Sequence, residues 1–166
     1  MHDAQCIAGI AFSSGLLGIV HSMAHKTGAA FSGDHIIHGC ANAMYLGKVI
    51  QFNAKDERAK SRYAFIAKDI LHLEGETEDE LVEALVQKIR DLNDALDIPQ
   101  GIKNYGQYGV KADESIIDYD EFEAKKSEVA ANAILDACTG SNPRIPTQEE
   151  MEQLLECVYT DTPVTF

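Results

Sequence analysis

Apolar residues recur at helical spacing along nearly the whole chain, and no stretch of useful length alternates like a β-strand. The pattern predicts an all-α fold, a multi-helix bundle whose helices are separated by turns containing glycine or proline. The predicted helices cover about 3–27, 38–52 and 58–72, then Thr77 to Pro99, about 118–136, and Thr147 onward.

Two capping boxes mark the clearest helix starts. Thr77 with Glu80 opens the fourth helix, and Thr147 with Glu150 opens the last. Gly140 is placed to cap the end of the fifth helix. The apolar positions predicted to face the core from the third, fourth and last helices are Tyr63, Ile66, Ala67, Ile70, Leu81, Leu85, Ile89, Leu92, Leu96, Met151, Leu154, Leu155 and Val158.

Composition narrows the class of protein. A chain of 166 residues that is 45% hydrophobic suits a single domain, here residues 1–166. With 14 Lys+Arg against 27 Asp+Glu its net charge is −13, which argues against nucleic acids and anionic membranes as partners. Four widely spaced cysteines and no secretion signal favour reduced thiols and a cytoplasmic location. The uncharged run 6–20 is too short to cross a bilayer and is predicted to be a buried helix.

The strongest chemical signal is a group of four histidines between residues 20 and 42. His21 and His25 are four apart, so both imidazoles project from one face of a helix. His35 and His38 follow a loop over about 28–37, and either could return a third nitrogen to that face. Such a group typically binds one divalent metal ion. Position 22 is Ser, so the segment is not an HExxH protease motif.

The simpler interpretation is that these histidines are structural. A buried imidazole needs a hydrogen-bond partner as much as a metal, because an unsatisfied polar group costs a few kcal/mol. His2 and His72 are isolated and are assigned to surface or core. Cys138, before a Gly-Ser-Asn-Pro turn, is by default an inert buried thiol.

The segments GIVHSMAHKTGAAF and HGCANAMYLGKVIQFN closely resemble the metal-binding region of the iron-containing (group III) alcohol dehydrogenases. DACTGSNPRIPTQEEM is similar to the C-terminal signature of that family, and GIKNYG is similar to its late loop. The resemblance covers essentially the whole chain. It implies the C-terminal helical domain of a dehydroquinate synthase-like fold, with an N-terminal nucleotide-binding α/β domain missing.

The resemblance also implies roles for individual residues. His21 and His38 would be ligands of the catalytic divalent metal, Fe²⁺ or Zn²⁺, and the Gly-x-Ala-Asn-Ala after position 38 favours His38 over His35. His25 would lie beside the nicotinamide of NAD or NADP and assist proton movement. Cys138 would lie close to the substrate pocket. The substrate would be a primary alcohol or aldehyde, and the enzyme a homo-oligomer.

The family's other metal ligands, an Asp and a His on an upstream D-x-x-x-H helix, have no counterpart in this sequence. Its Gly-rich pyrophosphate loop is not matched either. We therefore expect a C-terminal fragment that has no dehydrogenase activity by itself. The alternatives are a stand-alone helical metal-binding module and a helical domain that serves in subunit contacts, neither of them catalytic.

Overall fold

The computed structural model describes residues 1–28, 30–31 and 35–166. This part of the chain contains seven α-helices joined by turns and short 3₁₀ or π segments, and its only strand-like pairing is an isolated bridge between Tyr105 and Lys111. The all-α prediction is therefore confirmed. The helices are α1 His2–Gly15, α2 Ile19–Thr27, α3 His38–Asn53, α4 Glu57–Phe65, α5 Glu78–Ala95, α6 Tyr119–Ile134 and α7 Gln148–Thr160. Within the predicted loop 28–37, positions 29 and 32–34 lie outside the described residues.

The prediction of one continuous helix over 3–27 is wrong, because α1 and α2 meet at an angle of 104°. Leu16 leaves the helix with a φ of 63°, and Gly18 is extended at the N-cap of α2. A Cβ at Gly18 would lie 2.6 Å from Asn142 Oδ1, so only glycine allows this approach. The same oxygen accepts a hydrogen bond of 3.3 Å from the backbone N–H of Ile19. Asn142 thus supplies the acceptor that a preceding helical turn would have offered to the Ile19 N–H, and so fixes where α2 begins.

The expectation that residues 6–20 form a buried helix is also wrong. α1 buries none of its residues, and Ile7 and Ile10 are each about two-thirds exposed (67% and 70%). In the described part of the chain, no single helix is long and apolar enough to span a membrane, whereas the bent pair α1–α2 meets that length and composition criterion jointly.

The main core lies among α2, α3, α6 and α7. α2 packs against α3 and α6, while α7 packs against α3 and α6. The predicted inward face of the last helix is confirmed, because all four of its predicted core residues are buried. The largest fully buried side chains of this core include Ile19, Met23, Tyr45, Phe52, Phe122, Met151, Leu154 and Leu155.

A smaller apolar cluster joins α3, α4 and α5, and here the predicted α5 stripe is only partly correct. Leu81 and Leu85 are buried, whereas Leu92 and Leu96 are more than half exposed. The last turn of α5 faces α3 through a polar residue instead, because Asn93 is buried and donates a 3.1 Å hydrogen bond to the carbonyl of Ala43.

The third predicted helix also differs from its expected form. α4 ends at Phe65 and continues as a π-helical segment, Ile66–Ile70. The π segment rotates the chain, so Ala67 is fully buried while Ile66 and Ile70 are exposed. Periodicity at 3.6 residues cannot anticipate such a change of helix type.

Both predicted capping boxes are present, at Thr77 and at Thr147. The proposed cap at Gly140 is wrong, because α6 ends at Ile134 and Gly140 lies inside the 3₁₀ turn Thr139–Ser141. The hydroxyl of Thr139 instead donates a 2.7 Å hydrogen bond to the carbonyl of Ala133. A side chain therefore satisfies the C-terminal end of α6.

Candidate metal centre

Three of the predicted imidazoles meet on one face of α2. The ring centroids of His21 and His38 are 5.3 Å apart, and those of His25 and His38 are 5.2 Å apart. The rings of His21 and His25, on consecutive turns of α2, are separated by 6.0 Å. The expected convergence of a helical histidine pair with a third imidazole from the next helix is therefore present in the structure.

The position of α2, and with it two of the rings, is fixed at both ends. Asn142 caps its first turn and exchanges hydrogen bonds with the side chain of Asn53 on α3, at 2.7 and 3.3 Å. At the other end the Thr27 hydroxyl lies 2.8 Å from the phenol oxygen of Tyr45 and donates to the carbonyl of Met23. α2 is thus held in register against α3, which carries His38.

The start of α3 is held by the loop that follows α5. Tyr105 is almost fully buried, and its hydroxyl accepts a 2.8 Å hydrogen bond from the N–H of Ile37 while donating to the carbonyl of His35 at 3.1 Å. Both bonds are made by residues just before His38, the first residue of α3, and so hold the backbone from which its side chain projects. The imidazole Nδ1 of His35 lies 3.2 Å from the carbonyl oxygen of Gly28.

Asn42, one turn after His38, lies between the two predicted metal ligands. Its Nδ2 is 3.4 Å from His21 Nε2 and 3.1 Å from His38 Nε2. An amide N–H can only donate, so both ring nitrogens direct lone pairs to the same small region. Among the described residues, its buried Oδ1 has no hydrogen-bond partner. Two convergent lone pairs beside an unsatisfied oxygen fit a divalent cation, and the two imidazoles supply part of its ligand set.

A carboxylate that the sequence analysis did not single out completes the other side of the site. Asp136 Oδ2 lies 3.2 Å from His25 Nδ1 and 3.0 Å from Lys26 Nζ. Asp136 Oδ1 accepts a 3.0 Å hydrogen bond from the backbone N–H of Cys138. Donor atoms of His25, Asp136 and Cys138 all lie within 4.8 Å of one another.

The environment shifts the pKa values of these groups in different directions. Burial, followed by the nearby His38 and His25, lowers the pKa of His21. Burial alone would raise the pKa of Asp136, but the Cys138 N–H, Lys26 and His25 hold it well below the usual range of a carboxyl. Burial and the hydrogen bond to Asp136 raise the pKa of the Cys138 thiol. At neutral pH the site contains an ionised carboxylate, a protonated thiol and a neutral imidazole at His21.

Because the Asp136 carboxylate can only accept hydrogen bonds, His25 must carry a proton on Nδ1. Its Nε2 then presents a lone pair on the opposite side of the ring.

Asn42 follows His38 by one helical turn, and Asp136 precedes Cys138 by two residues. These spacings were the available signals, but neither residue type is distinctive by itself.

A family model matches almost the whole chain. Residues 1–159 match the model of the Fe-containing alcohol dehydrogenase family, C-terminal. The chain therefore belongs to the iron-containing alcohol dehydrogenase family and corresponds to its C-terminal helical part.

Individual relatives give the same result. The chain is 51% identical over 166 residues to the NADPH-dependent butanol dehydrogenase of Clostridium saccharobutylicum, covering 100% of this chain and 39% of that protein. It is 35% identical over 173 residues to the bifunctional aldehyde-alcohol dehydrogenase of Escherichia coli K12, covering 96% of this chain and 18% of that protein. It thus spans about two fifths or less of the length of these relatives.

A solved structure shares the fold. The iron-containing alcohol dehydrogenase of Thermococcus thioreducens superimposes with a TM-score of 0.75 at 31% identity, over 97% of this chain and 36% of that one. The helical arrangement is therefore that of the C-terminal part of such enzymes.

Proposed function

We propose that this chain is the helical, metal-binding part of an NAD(P)-dependent alcohol dehydrogenase, which transfers hydride between a primary alcohol or aldehyde and nicotinamide. The observation that carries the proposal is the convergence of His21 Nε2 and His38 Nε2 on one amide nitrogen, with the ring of His25 stacked beside His38. Family membership and the similarity to a butanol dehydrogenase support the reaction class.

His21 and His38 would hold the metal through their Nε2 atoms. A divalent ion bound there supplies Lewis-acid polarisation of the substrate oxygen. The imidazoles must be neutral to bind it, and the lowered pKa of His21 keeps its ring in that form over a wider pH range.

His25 is proposed to move the proton. Asp136 holds its Nδ1–H, which leaves Nε2 free to accept the hydroxyl proton as an alcohol is oxidised and to return it in the reverse reaction. Asp136 is a positioning residue in this scheme, because it fixes the tautomer and stabilises the imidazolium that forms. Cys138, held by the same turn, would line the substrate side of the site.

Metal titration of the purified chain tests the binding part of the proposal. We expect Zn²⁺ or Fe²⁺ to bind weakly to a Cys138→Ser parent, which lacks the neighbouring sulfur donor, because two imidazoles are an incomplete ligand set. Binding should be at least tenfold weaker once His21→Ala is added to that parent. His2→Ala, at the exposed start of α1, is the matched control and should bind as the parent does. Equal affinity in His21→Ala and the parent would contradict the assignment.

A chimera tests the reaction. The chain would replace the corresponding 39% of the C. saccharobutylicum butanol dehydrogenase, to which it is 51% identical. NADPH-dependent reduction of butanal by the metal-loaded chimera, with a loss of at least 10²-fold in kcat for His25→Ala, would support the proposal. A chimera that binds metal and NADPH yet shows no activity would overturn it. The isolated chain is expected to have no dehydrogenase activity.

The exposed surface of α1 favours a second function, contact with another subunit. Its apolar side chains are uncovered although the helix carries almost no charge. An apolar surface of this kind favours association. We therefore expect the chain to form homo-oligomers, with a weight-average mass in sedimentation equilibrium that rises with concentration.

A further inference from the structure

The cluster of His25, Asp136 and Cys138 offers three different donor atoms for a metal at one side of the histidine group. Its imidazole nitrogen, carboxylate oxygen and thiol sulfur lie within 4.8 Å of one another. Asp136 and Cys138 belong to the turn after α6, where the Cys138 N–H fixes the carboxylate by a 3.0 Å hydrogen bond. His25 reaches this turn from α2, which packs directly against α6.

The separations suit a small tetrahedral ion. Zinc bonds of about 2.0 Å to nitrogen and oxygen place two such ligands roughly 3.3 Å apart in a tetrahedron. His25 Nδ1 and Asp136 Oδ2 are 3.2 Å apart. The two atoms are therefore close enough to share one ion once the Nδ1 proton has moved to Nε2 and the ring has turned to aim its lone pair at the ion. The Cys138 sulfur, within 4.8 Å of both atoms, supplies the third ligand.

We propose that His25 Nδ1, Asp136 Oδ2 and Cys138 Sγ form a second metal site for Zn²⁺ or a similarly thiophilic divalent ion. It differs from the site at His21 and His38 in two ways. One of its ligands is sulfur, and its imidazole, that of His25, binds through Nδ1, whereas His21 and His38 bind through Nε2. The side chains of His25 and Asp136 are 38% and 11% exposed, so an ion can enter from solvent. A fourth position stays open to water or another ligand.

Two groups compete with an ion at this site. The ammonium of Lys26 lies 3.0 Å from the same carboxylate oxygen, and the thiol is protonated at neutral pH. Binding therefore displaces Lys26 and releases the thiol proton to solvent, as Cys–SH + Zn²⁺ → Cys–S–Zn⁺ + H⁺. Affinity should rise with pH.

Occupation of the second site would inhibit the proposed reaction. With an ion on Nδ1, a neutral His25 carries its proton on Nε2 and can no longer accept one from an alcohol. This consequence rests on the proposed function of His25, whereas the existence of the site does not.

Cobalt absorption distinguishes the two sites. We expect Co²⁺ added to the reduced chain to give a near-ultraviolet thiolate-to-cobalt charge-transfer band, which only a sulfur ligand produces. The band should disappear in Cys138→Ser and remain in Cys157→Ser, a matched control at another partly buried cysteine. It should also remain in His21→Ala, which impairs only the site at His21 and His38.

Cobalt binding without a thiolate band, or a band that survives in Cys138→Ser, would overturn the second site and leave the proposed function intact. Loss of visible cobalt absorption in His21→Ala, with the thiolate band retained, would instead assign that absorption to cobalt bound at His21 and His38. Lys26→Met gives a test of opposite sign, because removal of a competing cation should tighten Co²⁺ binding at the sulfur site about two- to fivefold. Unchanged or weaker binding in Lys26→Met would contradict the competition and with it the assigned carboxylate ligand.

Discussion

α1 and α2 are neighbours in sequence, yet they differ completely in burial. Neither contains a carboxylate after Asp3, and α1 is the more apolar of the two, because α2 carries His21, His25 and Lys26. α1 buries none of its residues, whereas α2 buries Ile19, Ser22, Met23, Ala24 and Thr27. The difference shows that apolar content makes burial favourable without deciding where it occurs. What decides it is whether other parts of the chain offer partners at fixed positions.

The partners of α2 are specific polar contacts at its ends together with apolar packing along its length. Asn142 caps its start and Thr27 joins its end to Tyr45. α1 has no capping side chain at its N-terminus, and Leu16 departs from it at positive φ. His21 and His25 lie on the helix that the fold holds at both ends, and a metal site requires its ligands to be held in this way.

The largest expected loss of stability comes from a cavity next to α2, and it tests whether α2 is packed in the core while α1 is not. Met23 is fully buried, so Met23→Ala should reduce the free energy of unfolding by about 2–5 kcal/mol. Ile7→Ala in α1 is the control, and it should change stability by no more than about 0.5 kcal/mol because Ile7 is exposed. Urea denaturation followed by circular dichroism measures both. Equal losses in the two variants would show that α1 is packed against the core in solution.

Local spacing in the sequence was sufficient to predict the helical class, both capping boxes and the shared face of His21 and His25. It left His35 and His38 open as the third imidazole, and His38 was favoured only by the resemblance to the family. The break at Gly18 was not predictable, because its cause is Asn142, more than a hundred positions away. Asp136 was missed for the same reason: its partner His25 is on a distant helix, and only the packing of α2 on α6 brings them together.

A smaller effect is expected from the polar contact at the end of α2. Thr27→Val keeps the shape of the side chain but leaves the buried Tyr45 hydroxyl without its 2.8 Å partner. An unsatisfied buried polar group costs about 1–3 kcal/mol, so the free energy of unfolding should fall by that amount. Thr27→Ser retains the hydroxyl and should recover most of the loss. If Thr27→Ser and Thr27→Val were equally unstable, the methyl group rather than the hydrogen bond would be the source.

The pH dependence of stability should reflect the burial of His21. Its pKa in the folded chain is lowered, mainly by burial and then by His38 and His25, relative to about 6.5 in the unfolded chain. As the pH falls below about 6.5, the unfolded chain takes up a proton that the folded chain does not, so stability decreases until the folded pKa is reached. His21→Gln should flatten this part of the profile, measured with chelator present. If the stability profile of His21→Gln were identical to that of the parent, a group other than His21 would be responsible for the pH dependence.

The smallest change in the free energy of unfolding is expected for a substitution in α1. Such a substitution sharpens the comparison with α2, because it should alter association between molecules without altering the stability of one molecule. Ile10 is 70% exposed, so Ile10→Lys should leave the free energy of unfolding within about 0.5 kcal/mol of the parent value. The same change places a charge in the middle of an uncovered apolar surface and should shift sedimentation towards the monomer. Lys125→Arg, on α6 and remote in sequence from that surface, keeps the charge and serves as the control. A large loss of stability in Ile10→Lys would mean that α1 is covered within a single chain, because a helix that packs only against other molecules cannot stabilise the monomer.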